Sequence, residues 1–370
     1  MAVRNHRLSV SEIVKNGAEI FHKLRWSHGI VVCPYCGSVH IKEYDGYRYK
    51  CNSCKNRFND KTNTLMHGSK LSVSTWMHAI YEMATDNFIS SNVLAVKLGI
   101  NQKSAWLLQT KIRNSMSQDR TILEGGIVAQ DEMYIGGSLS NFHYRRKWDL
   151  LIKWHFIAGD EERYSKQALF ALNSSLKQPV FGMTDGDKVV LYATPNPIKK
   201  EYIRKIYKAH TRKGGIVVSD ESQLYNGWEK STGSVLYTNN HHNNQYTTDN
   251  GLTSNAIENI FSWYKRGFNG KITHCKYHQL YLNEFAFRYN NRGLSTKDMF
   301  AMIVGSTIGN HVTYNQIREY NQYGIFISKA KQNEIDKKEK QRLKTLKWIL
   351  ENTDTKEIQS HHRIYRKGDL

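Results

Sequence analysis

Apolar residues recur at helical spacing near the start of the chain. In VSEIVKNGAEIFHKLRW, Ile13, Ala18, Ile20, Phe21 and Leu24 fall close to one face, and Ser11 is placed to cap the first turn. A second amphipathic helix is expected over LSVSTWMHAIYEMATD, with Ser72 or Ser74 as its cap and Trp76, Ile80 and Met83 turned inward. In SSNVLAVKLGINQKSAWLLQTKIRN, apolar sets on either side of Gly99 spell helix, tight turn, helix. From about residue 125 the period shortens. GIVAQDEMYIGG, PVFGMTDGDKVVLYAT, GGIVVSDE and SVLYT are strand-like runs, the second a hairpin turning at Asp185-Gly186. NPIKKEYIRKIYKAH lies among them as a helix, with Pro197 near its first turn and Ile198, Tyr202 and Ile206 along one face. This order predicts an α/β fold, a mixed sheet covered by helices, with active groups at the strand ends. Residues 138–178 interrupt the pattern, and KAKQNEIDKKEKQRLKTLKWIL near the end reads as a solvated basic helix.

Charge narrows the partners. At 370 residues the chain has room for two or three domains, and its 53 Lys plus Arg against 33 Asp plus Glu give a net charge of +20. A field of that sign attracts polyanions, with nucleic acid foremost and a membrane surface second. No run approaches the roughly eighteen apolar residues of a spanning helix, and MAVRNHRLSV has no signal-like apolar region. A cytoplasmic, nucleoid-associated protein is therefore expected.

Four of the five cysteines stand in two Cys-x-x-Cys pairs, CPYC and CNSC, fourteen residues apart. Each pair can bite a metal ion from a turn while the intervening segment forms a hairpin, so Cys33, Cys36, Cys51 and Cys54 are expected to hold a structural zinc ion. Gly37 and Lys55 sit where such knuckles turn, and Cys275 reads as an ordinary core thiol. Lys42, Arg48, Lys50, Lys55, Arg57 and Lys61 around the pairs favour a phosphate partner, although a purely stabilising clip fits the same residues. In the helix-turn-helix pattern, Gln102, Lys103, Ser104 and Gln109 lie where a recognition helix meets a DNA groove. A plain helical hairpin has the same pattern.

Asp131 closes one apolar strand and Asp220 another, so side-by-side strands would bring both carboxylates to one edge. Glu258 opens the helix SNAIENIFSWYKRGF, and Lys265, seven residues on, lies almost two turns away on the same face. Phosphoryl transfer on a nucleic acid needs such a set, since two divalent cations about 4 Å apart must hold the attacking and leaving oxygens. Oxygen ligands suit Mg or Mn. Lys265, with Arg266 beside it, would hold DNA. With 33 acidic residues available, some triad is easily found by chance. His241, His242, Asp185, Asp187 and Glu221 are better explained as turn or surface residues.

Over residues 8–305 the chain resembles bacterial insertion-sequence transposases of the ISXO-like group, which join an N-terminal zinc ribbon to a DDE catalytic domain. The resemblance rests on LRWSHGIVVCPYCGS, YKCNSCKNRFN, LGINQKSAW, DEMYIGG, VSDES, SNAIENIFSWYKRGFNG and YLNEFAFRYNNR. It implies an RNase H-like catalytic fold, with a mixed five-stranded sheet whose first and fourth strands are neighbours. The steps of 89 residues from Asp131 to Asp220 and 38 more to Glu258 are similar to the family's. Many relatives carry Asn as the third catalytic residue; Asn255 and Glu258 both stand here, one turn apart. The implied division is helix and ribbon over 1–66, helix-turn-helix over 67–122, catalytic domain over 123–308 with an insertion at about 138–178, and a basic helical tail over 309–370. The implied activity is binding of the element's terminal inverted repeats, followed by cleavage and strand transfer with Asp131, Asp220 and Glu258 holding Mg or Mn. Its partner is double-stranded DNA, both element ends and target, and synapsis of two ends implies a homodimer or larger. A zinc-ribbon regulator without catalysis and a nuclease that cuts without joining are the alternatives.

Overall fold

A computed structural model describes residues 9–136, 143, 177–212, 214–239, 253–268, 271, 275–321, 333 and 337. The interruption at 138–178, the His241-His242 loop and the basic run near the end lie almost wholly outside them.

The first helix, α1 (Val10–Arg25), is capped two residues earlier than expected. Its cap is Ser9, whose hydroxyl accepts the Glu12 amide, and Ser11 hydrogen-bonds the Ser9 hydroxyl instead. A small antiparallel sheet follows, β1 (Ile41–Tyr44), β2 (Arg48–Cys51) and β3 (Arg57–Asn59). Its inner side packs Tyr49 and Phe58 beside Cys33 and Cys51. Three helices come next: α2 (Val73–Thr85), capped by Ser72, α3 (Ser91–Leu98) and α4 (Gln102–Ser115). Gly99, at φ 63°, ends α3 in the left-handed conformation, and Asn101 caps α4 through the Ser104 amide. Ile13 and Phe21 of α1 share a core with Trp76, Ile80 and Met83 of α2, and with Leu108 and Ile112 of α4. Gly17 permits this contact, because a Cβ there would stand 2.7 Å from the Ser74 Cα.

The larger sheet has the order β6-β5-β4-β7-β8, built from β4 (Ile127–Ile135), β5 (Gln178–Thr184), β6 (Val189–Ala193), β7 (Ile216–Asp220) and β8 (Val235–Asn239). β4, β5 and β6 pair antiparallel, whereas β7 runs parallel to both β4 and β8. Crossover helix α5 (Lys200–His210) and the short α6 (Trp228–Thr232) are joined to this part of the chain. Ile203, Ile206 and Tyr207 of α5 and Trp228 of α6 bury one side of the sheet against Val128, Phe181 and Val217. Helices α7 (Asn255–Phe268) and α8 (His278–Asn290) cover the other side, over Ala129, Met133 and Leu191. Two further helices follow, α9 (Thr296–Thr307) and the one-turn α10 (Tyr314–Arg318). Phe300 and Ile303 of α9 return to the core of α1–α4.

These two cores are stitched together. Phe88, between α2 and α3, inserts beside Tyr264, Phe268 and Phe285, and its amide donates to Glu284 of α8. Glu284 is fully buried and pairs with Arg113 of α4 at 2.7 Å.

Candidate active site and metal centre

The four cysteine sulfurs lie within 4.8 Å of one another, with Cys33–Cys54 and Cys36–Cys51 both at 3.6 Å. Sulfurs on a zinc tetrahedron with 2.3 Å bonds stand roughly 3.8 Å apart, and a disulfide needs about 2.05 Å. The spacing therefore fits four thiolates around one ion. Both knuckles turn as their residues foretell, Gly37 at φ 73° and Lys55 at φ 63°. The Cys54 amide, donating to Cys51 Sγ at 3.5 Å, is the main cause that holds the Cys51 thiol down at about 6. Cys36 moves the other way: against the Ser38 amide, burial and the three neighbouring thiols push it up to about 12, so the crowded sulfurs share protons that a metal ion would displace. Cys275 is apart from this, half-buried against the α7–α8 core, and burial pushes its thiol up to about 12.

The carboxylates meet where β4 and β7 part. Their parallel pairing ends at Ala129↔Val218, after which β4 continues along β5 and β7 along β8. Asp131 and Asp220 each stand two residues past that last pair, hence on the same side of the sheet, the side covered by α7. Asp131 faces Gly182 across β5, and a Cβ there would stand 2.5 Å from Phe261 of α7. The glycine thus lets α7 lie close to the sheet over the acid pair. Glu258, one turn before Phe261, accepts the Ser254 hydroxyl at 3.0 Å and its charge is felt at Asp131, but it is not among the acids whose oxygens lie within 4.8 Å of one another.

A further acid joins them. Glu132 follows Asp131 in the strand and starts from the opposite side of the sheet, yet its carboxylate lies within 4.8 Å of those of Asp131 and Asp220. The phenol of Tyr225 donates to it, and Tyr225 is itself buried against Trp228. Burial, then the charges of Asp220 and Glu258, raises Asp131 to about 7, against the opposing Glu132 amide and Lys265. Burial, then Asp131 and Asp220, raises Glu132 to about 8, against the Tyr225 hydrogen bond. Carboxylates crowded until they retain protons near neutrality are a donor set that a divalent cation relieves, and all-oxygen donors fit a hard ion. Strand alternation concealed Glu132 from the sequence reading; the only signal was its adjacency to Asp131.

Residues 122–290 match the ISXO2-like transposase domain, and residues 17–57 match the transposase zinc-ribbon domain. By these two matches the chain is similar to transposases of the ISXO2-like group. A curated relative, named as an uncharacterized protein in transposable element ISH50 of Halobacterium salinarum, is 27% identical over 129 residues. That match takes in 34% of this chain and 43% of the relative, so the chain spans less than half of the relative's length. No solved structure matches.

Within the transposase domain fall Asp131, Glu132, Asp220, Asn255, Glu258, Lys265 and Arg266; within the ribbon fall all four knuckle cysteines. The α3–α4 pair lies between the two matched segments. Lys265 and Arg266 are exposed on α7, and Asn255, also exposed, is its first residue. On α4, Gln102 and Lys103 are exposed and Ser104 half-buried. Gln109 departs from the expectation: it is 1% exposed and donates to the Ile89 carbonyl at 2.8 Å. A helix surface has several sides, and position 109 falls on the one that meets the α2–α3 connector, so Gln109 organises the core and reaches no groove. Asp185 is the turn residue expected, accepting the amides of Glu124, Gly125, Asp187 and Lys188. Among the described residues no helix is long and apolar enough to cross a membrane.

Proposed function

We propose that the protein is a DNA transposase that binds the terminal inverted repeats of its own element and carries out metal-dependent cleavage and strand transfer. The observation that carries this reading is the meeting of Asp131 and Asp220 at the parting of β4 and β7, inside a segment matching a transposase domain. The sheet order, with three antiparallel strands followed by two parallel ones beside the first, supports an RNase H-like catalytic region. The ribbon and the α3–α4 helix-turn-helix, with Gln102, Lys103 and Ser104 at its outer end, serve end recognition. Duplex DNA, both ends and target, is the partner, and synapsis calls for at least a dimer.

Asp131, Asp220 and Glu258 hold Mg or Mn in this reading, and Glu132, fixed by Tyr225, completes the oxygen set; Asn255 stands one turn from Glu258 as an additional ligand. Two bound divalent cations supply charge neutralisation to the attacking and leaving oxygens of an in-line displacement. Lys265, whose positive charge is felt at Asp131, holds a DNA phosphate beside the carboxylates, and Arg266 extends that contact. In cleavage water attacks a phosphodiester and the 3′-oxygen leaves as a free 3′-hydroxyl; in joining that hydroxyl attacks a phosphodiester of target DNA, whose own 3′-oxygen is displaced and takes up the proton. The zinc ribbon stays outside the chemistry.

The test is incubation of purified protein and Mg or Mn with labelled duplex carrying the sequences that border its gene. Cut and joined products are expected, and Asp131→Asn or Asp220→Asn should lower both by at least about 100-fold while binding persists. Undiminished cutting by either variant refutes the site. Cut products without joined ones identify a nuclease, and binding without cutting identifies a regulator.

A further inference from the structure

We infer that the solvent-facing side of the ribbon sheet, centred on the cross-strand row Lys42, Lys50 and Arg57, is a docking surface for the backbone phosphates of duplex DNA. This rests on the reading of the protein as one that acts on DNA, and it assigns particular residues to that contact.

The sheet register provides the first argument. Lys42 stands opposite Lys50, and Lys50 stands opposite Arg57, so three cations form one row across all three strands. Like charges directly opposite destabilise a sheet. The next row, Tyr44, Arg48 and Asn59, adds a fourth cation on the same side. Alternation sends Tyr49, Cys51 and Phe58 to the other side, into the ribbon core. Among the described residues none of these four cations forms an ion pair. Of the nearby acids, Glu43 lies opposite Tyr49 on the other side, Asp60 binds His22 and Trp26, and Asp45 stands in the β1–β2 turn, where its carbonyl accepts from Arg48 and its carboxylate forms no ion pair among the described residues. A small sheet that keeps such a row against its own stability is matched to a polyanion.

The surroundings point the same way. Of the six cations clustered in the ribbon sequence, Lys55 donates to the Asn52 carbonyl and Lys61 to the Ser69 carbonyl; of the four on the sheet face, Arg48 donates through Nε to the Asp45 carbonyl, Lys42 lies over the Tyr44 ring, and none meets a carboxylate among the described residues. A cleft of about 540 Å³ opens at the edge of the sheet, lined by Tyr44, Arg48, Arg57 and His67 and floored by Tyr49 and Phe58 of the ribbon core. His67 also lines a second cleft of about 460 Å³, with Lys70, Lys111, His311 and Ser104 of α4. Neither cleft is lined by a carboxylate. Arg48, Arg57 and Lys70 are the exposed cations along these clefts, Lys111 being buried with its ammonium on the Leu65 carbonyl; they mark a path from the ribbon sheet toward the outer end of α4, and one DNA backbone laid along it meets both modules. Phosphate contacts of this kind fix position and register without reading sequence.

The test is fluorescence anisotropy of the zinc-loaded, full-length protein on a random duplex of about 30 base pairs, titrated with salt. The triple variant Lys42→Gln, Lys50→Gln, Arg57→Gln should flatten the slope of log affinity against log salt by about 2 to 3, since each phosphate contact contributes about 0.9. Its zinc content and thermal midpoint should not fall, because the like-charge row is removed. A control with the same change of charge, Lys199→Gln, Lys205→Gln, Lys208→Gln on and before the distant α5, should keep the slope. If the triple variant loses zinc, Arg57→Gln alone carries the test, with an expected change of about 1. An unchanged slope in the ribbon variant, as for a surface that meets another protein, overturns the inference and leaves the functional reading standing. An equal change in the control also overturns it, since net charge would then account for binding. Absence of duplex binding by the unaltered protein at low salt overturns both.

Discussion

Asp131 and Glu132 show how far one strand position can depart from its sequence neighbours' logic. Adjacent strand residues point to opposite sides, so a reading by alternation assigns Asp131 to the site and sends Glu132 away. The structure returns Glu132 because β4 and β7 separate beyond Ala129, opening a passage at the sheet's notch, and Tyr225 holds its carboxylate there. Asp131 and Asp220 were legible as strand-end acids, and Glu258, read as their helix-start partner, is not among the acids clustered within 4.8 Å; Glu132 and Tyr225 depend on a divergence of strands that no local pattern records. The crowding has a pH signature. Asp131 rises from 3.8 to about 7 and Glu132 from 4.5 to about 8, so between roughly pH 4 and 8 the metal-free folded state holds more protons than the unfolded chain. Its stability must then fall as pH rises through that window. Asp131→Asn removes one of the two titrations, and its thermal midpoint minus that of the unaltered protein should increase from pH 5 to pH 8. Saturating Mg should shrink the difference at pH 8, the cation taking the place of the proton. A difference that stays flat with pH, measured by thermal unfolding, would count against the crowded cluster.

At the scale of elements, apolar spacing revealed most helices and strands, because each has one side turned to a core. Trp76, Ile80 and Met83 of α2 are buried as their spacing foretells. The α5 face shifted: Ile206 is buried as expected, but Ile203 and Tyr207 complete the set and Ile198 precedes the helix. Pattern did not reveal which elements meet, and Gly182 shows why. In sequence it is one residue of a strand-like run; in the fold it is the point where α7 crosses the sheet over Asp131. Gly182→Ala places a methyl 2.5 Å from Phe261 and 2.9 Å from Leu191, too close to be absorbed without movement. Overpacking of this kind costs about 1–3 kcal/mol. The helix must lift, carrying Glu258 from the aspartates, so Mn binding measured by calorimetry should weaken along with stability. Phe261→Leu in the same chain should recover part of both, which a double-mutant cycle resolves. Weakened stability with unaltered Mn affinity would remove Glu258 from the ligand set.

Across the whole molecule, metal and core divide the task of stability. The ribbon has a core of four buried residues, two of them cysteines, too small to hold its hairpin without the ion. The α1–α4 core and the sheet are large and apolar, and they are joined by Phe88 and by the buried Arg113–Glu284 pair, neither of which touches the ribbon. The ribbon's own attachment to α1 is polar, with His22, Arg25 and Trp26 all bonded to Asp60. Chelation of zinc, or Cys51→Ser, should therefore release residues 31–59 and spare the rest. Hydrogen exchange read by mass spectrometry is expected to rise sharply over β1–β3, to rise modestly at the end of α1, and to stay at its original level in β4, β7 and α8. Duplex binding should fall with it, because the Lys42–Lys50–Arg57 row exists only while the three strands are paired. Loss of protection in β4 and β7 on chelation would mean that zinc supports the larger sheet as well, contrary to the separation of the ribbon from the other cores.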